Sequence, residues 1–474
     1  MRQIRGWRDA GWLWTASALC ALANMAGCAN LNERDTELRP LSRQATAAQV
    51  TLVDGRGTVG AATEARDLAR VRAEGRGALF ERQLGVLAAT GETELLRGNT
   101  ARLLVDGPAT FAAMKAAIAA ARQRILVEFY IVEGDGVAAE VADLLIRKAA
   151  EGVSVAMMYD SIGSLGTERA FFDRLRAGGV AVCAFNPVNP LERPGHWGLL
   201  QRNHRKMLAA DSDVAFTGGI NLSNVYAKGS FGSSRRKEPP ADADTEGWRD
   251  TQVELRGPVV PALAAVFKQS WEHQGCEGTL APTPEPRVAL PGQRIIKLVA
   301  GDPRNGINPT YKALLRAIDA SQVSVQLTMA YFAPGPELIQ ALCDAARRGV
   351  AVALVLPGRS DAALVLHAAR SRYAQLLEAG VQVYEMSQTV MHAKTAVIDG
   401  VFSSVGSSNL DWRSIVGNNE IDVIVLGDDF GEQMQALFAR DISVSGRIEA
   451  EQWARRGLGQ RLLEGFARVV EPLL

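Results

Sequence analysis

One pattern occurs twice in this chain at the same spacing, and a duplication of that kind calls for two equivalent structural units. His204-Arg205-Lys206 is followed by Asp211, and His392-Ala393-Lys394 by Asp399. Each string then runs on, over the same distance, into a small-residue turn ending in Asn: Gly218-Gly219-Ile220-Asn221 and Gly406-Ser407-Ser408-Asn409. The chain holds only five His, and two of them occupy matching places in the repeat. The flanking pattern repeats as well. Apolar periodicity predicts helices at 111–122, 138–150 and 170–177 and strands at 125–132, 153–159 and 180–185. The second half replays this with helices at 311–318, 337–347 and 370–377 and strands at 323–331, 350–356 and 381–385. Tyr130 and Tyr331 fall at equivalent places, as do Gly152 and Gly349. Helices alternating with apolar strands predict an α/β layered domain, built twice.

Each motif enters a short run with strand character, Lys206-Met207-Leu208-Ala209 and Lys394-Thr395-Ala396-Val397-Ile398. Side chains two apart on a strand point to one side, so each imidazole lies beside an ammonium group. The Asp stands an odd number of positions from the His, at the end of the strand, and reads as structural. The small residues of the turn let backbone approach a phosphate, so the N–H groups of Gly219 and Ser407 are candidate donors. Asn221 and Asn409 add side-chain donors. Two Lys and two Asn can therefore surround one phosphoryl group and stabilise charge on its non-bridging oxygens. Of two such histidines, one can attack phosphorus while the other protonates the leaving oxygen. This set calls for no metal and no other cofactor, and no acidic cluster suited to Mg²⁺ occurs in the sequence.

The duplicated motif resembles the signature of the phospholipase D superfamily. Further stretches resemble bacterial cardiolipin synthases: Gly98-Asn99 ahead of the segment from Val105 to Phe111, and Glu128-Phe129-Tyr130-Ile131. Asn203-His204-Arg205-Lys206, Phe216-Thr217-Gly218-Gly219-Ile220-Asn221 and Trp248-Arg249-Asp250-Thr251 add to the likeness, which runs from about residue 96 to the C-terminus. The resemblance implies two tandem phospholipase D-like α-β-α repeats, packed with pseudo-twofold symmetry around an active site at their interface. It implies a catalytic set of His204, Lys206, Asp211, His392, Lys394 and Asp399, with the two Asp buttressing the site. Asp250, and Glu420 in Asn418-Asn419-Glu420, match the carboxylates that orient the imidazoles. His204 is then the nucleophile and His392 the general acid.

The implied reaction transfers a phosphatidyl group between phospholipids through a phosphohistidine. Phosphatidylglycerol is the expected substrate and phosphatidylethanolamine an alternative one. Phospholipid hydrolysis, in which water wins the second step, is the alternative activity. A nuclease ranks lower, because 52 basic residues against 52 acidic leave no net charge for nucleic acid. A non-catalytic lipid-binding protein is disfavoured by the intact His, Lys and Asn of both halves. Both half-sites lie in one chain, so catalysis requires no dimer.

A chain of 474 residues exceeds what one core usually serves. The expected organisation is a leader at 1–27, a polar tether at 28–95 with a helix around 62–73, and repeats at 96–285 and 286–474. Arg2, Arg5 and Arg8 precede a short apolar run that ends in Met25-Ala26-Gly27-Cys28. That layout suits a secretory leader and resembles a bacterial lipobox, which implies lipidation at Cys28; an uncleaved membrane anchor is the alternative. A periplasm-facing protein follows, with Ala29 favouring the outer membrane over the inner. Cys183, Cys276 and Cys343 could form one bridge in an oxidising compartment, and the sequence does not pair them. Residues 230–247 read as a mobile loop whose Arg235-Arg236-Lys237 run is solvated, with contact to lipid phosphates the alternative, and 279–291 as the linker between repeats. The Pro-rich insertion 186–200, with Trp197, Leu199 and Leu200, reads either as a lip entering lipid or as a loop packed over the site. His196, His273 and His367 lack a partner motif and read as structural or surface groups.

Overall fold

The computed structural model describes residues 50–474 apart from 74, 92, 192–194, 196–197, 231–246, 279 and 281–289. The leader, Cys28, His196, Trp197, the Arg235-Arg236-Lys237 run and most of the 279–291 linker lie outside the described residues.

Among the described residues, two sheets that share a seven-strand order carry the fold. The first runs in the order Ala181–Phe185, Ser154–Asp160, Arg124–Phe129, Met207–Ala210, Val214–Gly218, Thr251–Arg256 and Glu94–Val105. The second runs Gln382–Met386, Ala351–Pro357, Ser324–Met329, Lys394–Ile398, Phe402–Gly406, Asn418–Leu426 and Arg294–Gly301. In each, three parallel strands joined by helices meet an antiparallel group, and the motif strand pairs with the last strand of the parallel set. Position for position the orders agree, so the chain repeats its topology as well as its motif.

Helices Asp106–Ala120, Gly136–Ala150 and Arg169–Ala177 accompany the first sheet, and Pro309–Ala320, Gly335–Arg347 and Ala363–Glu378 the second. Alternation along one strand serves two layers: Ile125, Val127 and Phe129 enter the outer core, whereas Leu126 enters a core shared between the halves. Strands buried on both faces read as continuous apolar runs, which is why their positions follow from the sequence. Helices Val259–His273 and Asp428–Ser443 contribute Phe267, Trp271, Phe430 and Met434 to the shared core.

Residues 50–95 overturn one expectation, for they form no polar tether. Strand Thr51–Asp54 lies parallel to Glu94–Val105, and helices Ala61–Arg72 and Gly77–Ala89 follow it. Leu68, Val71, Phe80, Leu84 and Leu87 from these helices are buried in the core of the second repeat. Abundant Arg and Ala mask that stripe in the composition. Strand Glu94–Val105 also crosses the expected boundary at 96, pairing Leu96 with Ile296 of the second sheet and residues 100–105 with Thr251–Arg256 of the first. It therefore belongs to both halves.

Two buried arginines join the halves. Arg249 donates to both carboxylate oxygens of Asp441, each at 2.8 Å. Arg205 reaches the backbone carbonyls of Glu420 at 3.1 Å and Gly301 at 2.9 Å. Cys183, on the edge strand, is bonded to Cys276 beyond the end of helix Val259–His273, while Cys343 is buried and free. Among the described residues no helix is long and apolar enough to cross a membrane.

Candidate active site

The two motif strands come together because each motif's entry pairs with backbone of the other half. His204 N–H donates to the Asn419 carbonyl at 2.9 Å, and His392 N–H donates to the Arg249 carbonyl at 2.7 Å. The residue after each accepting carbonyl then decides what stands behind the imidazole. Glu420 follows Asn419, and its carboxylate lies 3.0 and 3.1 Å from His204 Nδ1. Asp250 follows Arg249, and its Oδ2 lies 2.8 Å from His392 Nδ1. The carboxylates therefore cross: each half holds the other half's histidine. On both rings Nδ1 faces a carboxylate, and Nε2 of His392 lies 3.1 Å from Lys394 Nζ.

The lysines sit where the two-residue spacing places them. Lys206 Nζ donates to the His204 carbonyl at 2.6 Å and stands 5.3 Å from the centre of the Tyr130 ring. Lys394 Nζ donates to the His392 carbonyl, lies 2.9 and 3.1 Å from its ring nitrogens, and stands 5.9 Å from the centre of the Tyr331 ring. Tyr130 and Tyr331 are thus equivalent in space, each edge-on to a histidine, with centroids 5.0 Å from His204 and 5.9 Å from His392. All four motif side chains are buried.

Burial and neighbouring charge set the protonation states. Burial, then the ammonium groups of Lys206 and Lys394, push His204 well below the usual imidazole range. Burial and Lys394 also push His392 down, but its hydrogen bond to Asp250 opposes them. Burial brings Lys394 down to about 8 and moves Lys206 in the same direction. Glu420 is pushed up to about 7 by burial, against the pull of Lys206 and the donated hydrogen bonds of Ser407 and Ser414. Neutral His204 and a Glu420 that titrates near neutrality suit a ring that gains positive charge only when it forms a bond.

The remaining residues separate into those at the site and those behind it. Asn221 Oδ1 accepts from Ile131 N–H at 3.1 Å, and the Asn221 side chain also hydrogen-bonds Tyr226. Asn409 is buried on the equivalent turn, and its Oδ1 has no hydrogen-bond partner among the described residues. Gly219 and Ser407 correct an expectation, because their N–H groups donate within the sheets, to Thr251 and Ile421 carbonyls, each at 3.0 Å. Their work is on the carboxylates. A Cβ on Gly219 would lie 2.2 Å from Asp250 Oδ1, and Ser407 Oγ donates to Glu420 at 2.5 Å. Asp211 and Asp399 stand at the far ends of the motif strands. Asp211 accepts from the N–H groups of Arg122, Gln123 and Arg124 at 2.8–2.9 Å, and Asp399 from those of Gln322, Val323 and Ser324 at 2.8–3.2 Å.

Tyr226 is a site residue that the motifs did not announce. Its hydroxyl lies 3.0 Å from His392 Nδ1, and its ring packs on Trp248 with centroids 5.5 Å apart. It follows Asn221 by five residues, and no counterpart in the second motif marks it.

The family model described as "Cardiolipin synthase, PLD-like domain" matches residues 114–230 and 314–442. The cardiolipin synthase of Halalkalibacterium halodurans is 32% identical over 375 residues, covering 79% of this chain and 72% of that protein. Cardiolipin synthase A of Pseudomonas aeruginosa is 34% identical over 397 residues, covering 82% and 76%. Among solved structures, phosphatidylserine synthase of Haemophilus influenzae Rd KW20 aligns with a TM-score of 0.57 at 14% identity, over 79% of this chain and 95% of that one. That last likeness is one of fold.

Proposed function

The chain belongs to the cardiolipin synthase family of phospholipase D-like proteins, and from that premise we propose how its site carries out the reaction. It is a phosphatidyltransferase of the cardiolipin synthase type. The single observation that supports the mechanism is the crossed pair of imidazole–carboxylate contacts, in which each half holds Nδ1 of the other half's histidine.

His204 is the nucleophile. Its Nε2 lone pair attacks phosphorus of the donor lipid, the bond from phosphorus to the headgroup oxygen breaks, and His392 gives that oxygen its proton. Phosphorylation puts positive charge on the His204 ring, and the Nδ1–H donates to Glu420, whose negative charge then has a partner. Lys206, Lys394, Asn221 and Asn409 hold the non-bridging oxygens through the five-coordinate state. In the second step a hydroxyl of another lipid gives its proton to His392 and attacks phosphorus, and the phosphorus–nitrogen bond breaks. With phosphatidylglycerol as donor and acceptor the products are cardiolipin and glycerol. We assign His392 the acid role as the family resemblance implies; both imidazoles are pushed below their usual range, His204 well below it, and on His392 the hydrogen bond to Asp250 opposes the push.

We further place the protein at the periplasmic side of the cell envelope, lipidated at Cys28, with Ala29 sorting it to the outer membrane. The Cys183–Cys276 bridge supports an oxidising compartment. The test is product analysis after purified protein meets phosphatidylglycerol, alone and with phosphatidylethanolamine. Cardiolipin formed by the wild type and not by His204→Ala is the expected result. Phosphatidic acid as sole product would replace transfer with hydrolysis.

A further inference from the structure

The last long helix of the chain, Leu458–Val470, is about 20 Å long. It buries Glu464 and Ala467 and packs against helix Ala363–Glu378. Its outward side is unlike the rest of the surface. Leu458, Leu462, Phe466 and Val469 are between 58% and 78% exposed, and Leu463 widens the stripe. Spacings of four, four and three residues align the first four along one face. Single exposed apolar residues are ordinary on a protein surface, whereas a stripe on one helix marks a contact.

Charge on this helix identifies the contact. Its exposed charged residues are Arg461 and Arg468, both on one flank of the stripe. Its one acid, Glu464, is buried and accepts from Arg456 Nε at 2.9 Å. A second copy of the chain, related by a twofold axis through this face, would bring like arginine flanks together without an exposed acid on the helix to meet them. An anionic phospholipid surface satisfies both the apolar stripe and the arginines.

The helix is also tied to the rim of the site. The turn that follows it ends at Leu474, whose carbonyl accepts from Arg413 N–H at 3.1 Å, and the charge of Arg413 reaches His204 and Tyr130. On the first-half side, Ser164 Oγ donates to the Tyr130 carbonyl at 3.1 Å, and the neighbouring Leu165 is 71% exposed.

We propose that helix Leu458–Val470 is an interfacial helix that seats the enzyme on an anionic phospholipid surface, its apolar stripe in the acyl boundary and Arg461 and Arg468 at the headgroup phosphates. Helices of this kind lie in the membrane plane, about 5–10 Å deep, and do not span it. The inference rests on the phosphatidyltransferase reading, because a lipid substrate fixes where the site must work.

The test uses the full chain. A Leu458→Ser/Leu462→Ser/Phe466→Ser/Val469→Ser variant and an Arg461→Gln/Arg468→Gln variant are sedimented with phosphatidylglycerol/phosphatidylethanolamine vesicles and with phosphatidylcholine vesicles. Turnover is measured on the anionic vesicles and on short-chain phosphatidylglycerol dispersed as monomers. The serine variant should lose about tenfold or more in vesicle binding and vesicle turnover, while keeping turnover of the dispersed lipid within about twofold. The glutamine variant, altered only at exposed positions, should lose the preference for anionic vesicles even where the serine variant fails to fold. Undiminished binding by both variants would overturn the proposal. So would a wild-type dimer that becomes monomeric in the serine variant with vesicle binding intact. Absence of dispersed-lipid turnover in the wild type would instead count against the transferase reading.

Discussion

At the scale of single residues, His204 and His392 carry the same ring on the same local frame, and what separates them is the group behind each. His204 has Glu420, shared with two serine hydroxyls, and His392 has Asp250 with the Tyr226 hydroxyl close by. The proposed roles therefore differ in what each loss should do. A nucleophile is required whatever leaves, whereas an acid matters only when the leaving oxygen needs a proton. His392→Ala should lose about 10²–10⁴ in turnover of phosphatidylglycerol, whose leaving alkoxide is strongly basic. In the first-turnover burst on a p-nitrophenyl phosphodiester, whose leaving group departs unprotonated, the same variant should lose about tenfold or less, because His392 is then needed only as the base of the second step. His204→Ala should be inactive on both. The opposite pattern, with His204→Ala rescued by the good leaving group, would exchange the two assignments.

At the scale of elements, Asp211 and Asp399 fasten strands. Both sit in the left-handed region, at φ 53° and 54°, which Asp tolerates better than most residues. Each carboxylate gathers three successive N–H groups where a helix gives way to the next strand. Asp211→Ala removes those acceptors and leaves a strained backbone, so it should cost about 2–4 kcal/mol in denaturant unfolding. Asp211→Asn should cost less, and in both variants kcat/KM of the folded protein should stay within about threefold of wild type. A collapse of kcat with stability unchanged would return Asp211 to the catalytic set. The odd spacing between His and Asp made the Asp's place at the strand's end legible in the sequence, as apolar period did for the helices and strands flanking each motif. Two features were not legible, for a shared reason. The His204–Glu420 contact joins residues 216 positions apart, so no local pattern says which carboxylate serves which ring. Phe80, Leu84 and Leu87 find their partners in the second repeat, among them Leu314 and Ile318, and a stripe whose other half is so distant passes for part of an Arg- and Ala-rich tether. Gly219 and Ser407 were placed at the right turn but given the wrong task, because whether a backbone N–H is free depends on the strand beside it.

At the scale of the whole molecule, the crossed carboxylates mean that neither repeat is a working unit. The first repeat holds His204 but takes Glu420 from the second, and the second holds His392 but takes Asp250 from the first. The halves could in principle meet this need from another copy of the chain, exchanging partners as swapped dimers do. The buried joints argue against it. Separating the halves would strip Arg249 from Asp441 and Arg205 from its two carbonyls, leaving buried charge unpaired, which costs about 3–5 kcal/mol at a single pair. It would also open the shared core of Phe267, Trp271, Phe430 and Met434. Strand Glu94–Val105 adds a covalent constraint, since it pairs with both sheets and cannot follow one half away from the other. Each chain should therefore complete its own site. Mixing purified His204→Ala with His392→Ala protein should restore no cardiolipin formation, even after long incubation. If halves exchanged freely between chains, statistical pairing would rebuild one intact site in half of the dimers and recover about a quarter of wild-type turnover. A recovery of that size, measured against each variant alone, would show that the working unit is a pair of chains.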